Sequence, residues 1–238
     1  MATTTCHFLI TCEHGGNRIP SRYRHLFHGC EALLKTHRGY DAGALAMARD
    51  LAGILAAPLF FSTTSRLLID LNRSIGHPRL YSEFTRDAPS ALRREILERH
   101  YLLYRSQVEA DIAESVAQGC RVIHISSHSF TPALKGEVRN ADIGLLYDPA
   151  RSGELELCER WQASLKALSP GLKVRRNYPY AGKADGLTAY LRRRFQPDDY
   201  AGVELEINQK HVLKGGQHWQ VLRAGVVEAL RQALCNAL

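Results

Sequence analysis

Two histidines stand where chemistry could start. His14 lies in Glu13-His14-Gly15-Gly16-Asn17 and His128 in Ser127-His128-Ser129, each at the end of an apolar run that reads as a strand. Imidazole carries protons near neutral pH and is a common metal ligand. Alone, His14 reads as a surface histidine on a turn and His128 as a hydrogen-bonded structural residue; two at strand ends together make a metal site plausible. Catalytic zinc sites use three N/O ligands and keep one position for water. A carboxylate or histidine must supply the third. Asp41, in Gly39-Tyr40-Asp41-Ala42-Gly43, is one candidate, and its ordinary role would be to cap the helix that follows. Glu13 is the other. No HExxH motif is present, and the residue three after His14 is Asn17.

Two further groups could complete a reaction centre. Asn72-Arg73 follows the apolar run Leu67–Leu71. A guanidinium offers a fork of donors that holds a carboxylate bidentately, and an asparagine adds another donor. The bland alternative is an ion pair between Arg73 and Asp70. Glu204 and Glu206 share a face if 202–208 is extended. They form either a solvated stripe or, beside a metal-activated water, a general base; a metal ion lowers the pKa of bound water from about 15.7 to about 7.

The elements needed to position these groups are legible in outline. Strand-like runs at 8–11, 67–71, 122–126, 143–147 and 203–207 alternate with helical patterns at 43–56, 89–118, 153–168 and 217–237. This alternation predicts one α/β domain over 1–238, a mixed central sheet with helices on both faces. In such sheets ligands bind in the crevice beyond the strand ends, which is where His14, Asn72-Arg73 and His128 fall.

Composition narrows the rest. The chain has 238 residues, 45% hydrophobic, and 31 basic against 24 acidic residues, a net +7. Disordered, collagen-like and coiled-coil classes are excluded. No apolar run reaches the roughly 18 residues of a membrane span, and the first residues lack the pattern of a signal peptide. A soluble, cytoplasmic protein is expected, its six scattered cysteines reduced and mostly buried. The basic balance favours anionic partners. Lys173–Arg176 and Arg192-Arg193-Arg194 lack aromatic interleaving or any nucleic-acid motif, and the second reads as a solvated helical edge, so no nucleic-acid partner is expected. P-loop, dinucleotide-binding and GxSxG signatures are absent.

Seven short motifs stand in order: His14-Gly15-Gly16 with Ile19-Pro20, Tyr40-Asp41-Ala42-Gly43, Asp70-Leu71-Asn72-Arg73, His128-Ser129-Phe130, Ala141-Asp142-Ile143-Gly144, Asn177-Tyr178-Pro179-Tyr180-Ala181-Gly182 and Leu205-Glu206-Ile207-Asn208. From about residue 8 to 210 this series resembles the N-formylglutamate amidohydrolase family, itself similar to zinc carboxypeptidases and aspartoacylases. The resemblance implies a three-layer, phosphorylase/hydrolase-like fold and a metal-dependent hydrolase of linear amide bonds. It implies one Zn²⁺, or another divalent ion, held by His14, Asp41 and His128, with Glu13 as the alternative carboxylate. Asn72 and Arg73 would bind the substrate's carboxylate, and Glu206, in preference to Glu204, would be the catalytic base. Arg139 would hold a second carboxylate or the developing oxyanion. The implied substrate is a small anionic N-acyl amino acid, N-formyl-L-glutamate giving formate and glutamate. Another N-acyl amino acid deacylase, a carboxypeptidase-like peptidase and a non-enzymatic binding protein are the alternatives. The carboxypeptidase His-x-x-Glu pattern is not matched.

Overall fold

Strand β8 (Tyr200–Asn208) shows how the sequence builds both a core and a site. All nine of its residues are buried, so period-two alternation divides them between two interiors. Val203, Leu205 and Ile207 enter one apolar cluster. Glu204, Glu206 and Asn208 face the other way.

The computed structural model describes residues 5–235. Before β8 come β1 (Cys6–Cys12), α1 (Glu31–Leu34), α2 (Ala44–Leu55), β2 (Leu59–Phe61) and α3 (Ser90–Ile96). The last runs through a π-helical stretch at Leu97–Leu102 into α4 (Leu103–Ala117). Then follow β3 (Arg121–Phe130), a hairpin of β4 (Ala133–Leu134) and β5 (Glu137–Val138), and β6 (Ile143–Leu146). Next are α5 (Ser152–Leu168), β7 (Val174–Arg176) and α6 (Leu187–Arg194), and after β8 the chain ends in α7 (Gln209–Lys214) and α8 (Gly216–Cys235). The end of the predicted last helix, 236–237, lies outside the described residues.

The sheet has six strands in the order β2-β1-β3-β8-β6-β7. All neighbours are parallel except β6 and β8, which run antiparallel, so the sheet is mixed as predicted. One face packs residues of α2, α5 and α8, including Met47, Trp161 and Leu230, against Ile10, Ile125 and Val203. The other packs residues of α3, α4 and α6, including Ile96, Val108 and Leu191, against Leu9, Val122 and Tyr200.

Three expectations are corrected. Leu67–Leu71 is not a strand: it turns, with Leu68 N donating to Ser65 O and Asp70 N to Leu80 O. Its leucines are nonetheless buried in the second cluster, and a short buried run has the same apolar signature whatever its backbone. Arg192 is not on a solvated edge. It is buried, with Nε 2.9 and 3.0 Å from the two oxygens of Glu154 and its amines donating to Gly182 O and Gly202 O. Among the cysteines only Cys12 and Cys158 are buried, not most of the six.

Candidate active site

Chain geometry brings the candidate residues to the C-terminal ends of β1, β3 and β8. His14 lies two residues past β1. His128 lies inside β3 rather than at its end, and pairs across the ladder with Glu206 of β8. The tight passage after β1 depends on Gly16, where a Cβ would meet Thr63 O at 2.6 Å. Asp41 is not the cap of α2, whose N-cap is Gly43 at φ +82. A side chain at Gly43 would be strained there and would meet Val212 at 2.6 Å. Asp41 is instead tied by its N–H to His14 O at 2.9 Å, which turns its carboxylate inward.

His14, Asp41 and His128 converge, their ligand atoms within 4.8 Å of one another. Asp41 Oδ2 is 3.3 Å from His14 Nδ1 and 2.9 Å from His128 Nδ1. The outer nitrogens also meet carboxylates: His14 Nε2 is 2.7 Å from Asp70 Oδ1, and His128 Nε2 is 2.9 Å from Glu13 Oε2. Glu13 therefore sits behind His128 and not among the three converging groups. Arg66 spans the acids, Nη2 donating to Asp70 Oδ2 at 2.7 Å and Nη1 to Asp41 Oδ1 at 3.4 Å.

Electrostatics follow from this crowding. Burial alone would raise the pKa of Glu13, Asp41 and Asp70, but the neighbouring cations outweigh it. His128 with the hydroxyls of Thr11 and Ser126 holds Glu13 well below the usual carboxylate range. His14, His128 and Arg66 hold Asp41 there, and Arg66 and His14 hold Asp70. Burial would lower His128, yet Asp41 and Glu13 raise it well above the ordinary imidazole range. Glu206 behaves oppositely. Its burial, with Asp41 and Glu204 nearby, pushes it up to about 8 against the pull of His128 and Arg66.

The donor set fits a divalent ion. Each imidazole is fixed from behind by an ionised carboxylate, the carboxylate–histidine arrangement that presents the other nitrogen to a metal. The two Nδ1 atoms and Asp41 Oδ2 then face one another, and only a cation between them, a proton or a metal ion, reconciles the three lone pairs. Glu206 Oε2 is buried without a hydrogen-bond partner, an unmet need that a bound reactant would answer.

The remaining candidates lie at the margins. Asn72 Nδ2 is 3.4 Å from His128 Nε2, and its Oδ1 accepts from Leu187 N at 2.6 Å. Arg73 follows a turn rather than a strand, and its Nη1 donates to Asp185 O at 2.6 Å. Arg139 is not in contact with the histidines: its guanidinium lies 5.8 Å from the Phe130 ring and 5.0 Å from the Tyr180 ring. Glu204 accepts from Thr188 Oγ1 at 2.6 Å, which occupies it in anchoring α6. Residue spacing had not singled out Asp70 and Arg66 as partners of the histidines. The available signal was the Asp70-Leu71-Asn72-Arg73 motif itself, with Arg66 four residues before its aspartate.

The site thus sets two imidazoles and several buried carboxylates together near the C-terminal ends of parallel strands of an α/β sheet, where such folds place their ligand sites. The family model described as N-formylglutamate amidohydrolase matches residues 6–213. The chain belongs to that family and is a hydrolase acting on amide bonds. A gene product of Agrobacterium tumefaciens is similar, with 31% identity, a TM-score of 0.82, and 97% of this chain and 91% of that chain covered. An N-formylglutamate amidohydrolase from Ralstonia eutropha shares the fold at 17% identity and a TM-score of 0.70, with coverage of 98% and 94%. No curated protein matches the sequence. Among the described residues, no helix is long and apolar enough to cross a membrane.

Proposed function

We propose that the chain is a zinc-dependent amidohydrolase that removes the acyl group from a small anionic N-acyl amino acid, N-formyl-L-glutamate being the substrate that best fits. One observation carries this reading: two imidazoles and a carboxylate converge within 4.8 Å, and a buried glutamate is the cross-strand partner of one of them.

His14 Nδ1, Asp41 Oδ2 and His128 Nδ1 would hold the ion. Zinc bound there supplies Lewis acidity for the acyl carbonyl and for a water. Glu206 Oε2 takes the proton from the attacking water and returns it to the leaving nitrogen. Asp70 and Glu13 keep the two imidazoles in one tautomer. Arg73 is steadied at Nη1 by Asp185 O, and its other donors, with Asn72, grip the α-carboxylate and so set the carbonyl at the ion. Arg139, cradled by Phe130 and Tyr180, serves the side-chain carboxylate. The setting is cytoplasmic, which the free thiols at Cys12, Cys30, Cys120, Cys158 and Cys235 support.

The deciding experiment assays the zinc-loaded protein on a panel of N-formyl and N-acetyl amino acids, with metal content measured in parallel. Turnover of N-formyl-L-glutamate above the other members is expected. Turnover of none, or zinc uptake that survives His14→Ala together with His128→Ala, would overturn the reading.

A further inference from the structure

The start of α6 is fastened onto the turn that carries Asn72 and Arg73. Four hydrogen bonds join 72–74 to 185–187. Arg73 Nη1 donates to Asp185 O and Leu187 N to Asn72 Oδ1, both at 2.6 Å. Ser74 N donates to one oxygen of the Asp185 carboxylate at 3.0 Å, and the Ser74 hydroxyl donates to the other. Between these bonds sits Gly186, where a Cβ would stand 3.0 Å from Asn72 Oδ1 and 3.2 Å from Glu204 Oε1. The main chain of the turn is held separately, by the helix beneath it. Tyr101 OH donates to Arg73 O at 2.8 Å and Arg105 Nη1 to Leu71 O at 3.1 Å.

We propose that Asp185 is a positioning residue for the substrate's carboxylate: pinned by Ser74, it fixes the peptide whose carbonyl aims the Arg73 guanidinium. The proposal rests on the carboxylate clamp proposed above.

The chemistry of the contact favours this role. Asp185 turns its carboxylate to Ser74 and offers Arg73 Nη1 a neutral carbonyl. Asp70, the acid nearest before Arg73 in sequence, is taken by His14 and Arg66. The guanidinium is thus held at one amine by an uncharged acceptor, and its charge serves an arriving carboxylate. A long side chain already ordered loses little freedom when it grips a ligand, whereas a loose one must be ordered at binding. Asp185 therefore contributes affinity without touching the substrate.

Asp185→Ala removes the acceptor of both Ser74 donors, whereas Asp185→Asn keeps a carbonyl oxygen for them. In the zinc-loaded enzyme acting on N-formyl-L-glutamate, Asp185→Ala is expected to raise KM by about 2- to 13-fold, the cost of ordering one long side chain. Its kcat should stay close to wild type, the mark of binding shared by ground and transition states. Asp185→Asn should regain most of the loss, and an uncharged formamide should register neither change. In an Arg73→Ala background the effect of Asp185→Ala should shrink, because the group it aims is gone. Should Asp185→Ala not fold, Ser74→Ala carries the same comparison. A wild-type KM in Asp185→Ala, an equal loss on the formamide, or full additivity with Arg73→Ala would each defeat the proposal. An Arg73→Ala enzyme with unchanged KM would instead defeat the clamp, and the positioning role with it. Calorimetric affinity for L-glutamate gives the comparison without turnover. If wild type binds glutamate through Arg73 yet hydrolyses no N-formyl amino acid, the hydrolase reading falls and Asp185 is judged on that affinity.

Discussion

His128 and Glu206 are direct partners across β3 and β8. With no ion between the imidazoles, two carboxylates raise the pKa of the histidine well above its ordinary range, while burial pushes that of the glutamate up to about 8. A shared ladder position therefore sets a metal-ligand candidate beside a carboxyl that titrates near neutral pH, without a loop between them.

Glu206→Gln keeps volume and removes the basic oxygen. Turnover of the zinc-loaded enzyme is expected to fall by about 10²–10⁴-fold, the usual worth of a general base, with zinc content unchanged. Steady-state kinetics and metal analysis on the same preparation check both halves; turnover at the wild-type level would end the assignment.

Arg73→Ala should act on binding before chemistry. Losing a charge-assisted grip on a carboxylate costs about 1.5–3 kcal/mol, or roughly 10- to 150-fold in kcat/KM for N-formyl amino acids. An uncharged formamide should be affected much less. Equal losses on both substrates would count against the clamp.

His124 sets a pH dependence of stability. Its folded pKa of about 4 lies below the ordinary imidazole value near 6.5, so between those limits the unfolded chain binds more protons. Stability contributed by the neutral ring is complete above about pH 6.5 and is lost as pH falls toward 4, on the order of 3 kcal/mol in all. Urea unfolding of wild type and His124→Gln across that range should give curves that converge in acid.

Glu154 and Arg192 form a buried pair, 1% and 8% exposed. Glu154→Gln leaves the guanidinium without its counter-charge and should cost about 3–5 kcal/mol. Adding Arg192→Met to that variant should recover part of the loss, and thermal melts of the two measure it.

The legibility of the site followed locality. His14, His128 and Glu206 were readable because each lies in or just past a strand whose own residues announce it. The choice between Asp41 and Glu13 was not readable from residue type and spacing. It depends on Asp41 N–H reaching His14 O across 27 positions, which aims one carboxylate inward while Glu13 is claimed from behind by Ser126 and Tyr104. Asp70 was hidden for the same reason: its partner His14 is 56 positions away. The apolar run before it misled because turn and strand bury leucines alike. Arg192 misled because three consecutive arginines look solvated until Glu154, on another helix, is brought beneath one of them.

The division of β8 into an aliphatic side and an acidic side has a further reach. Substitutions there should sort by parity: exchanges among aliphatic side chains at 203, 205 and 207 would trade only packing for packing, whereas on the acidic side a change at 204 would loosen the anchor of α6 and even a conservative change at 206 would alter what the enzyme does. A saturation library scored separately for abundance and turnover would then show turnover lost out of proportion to abundance at 206 and not at its neighbours.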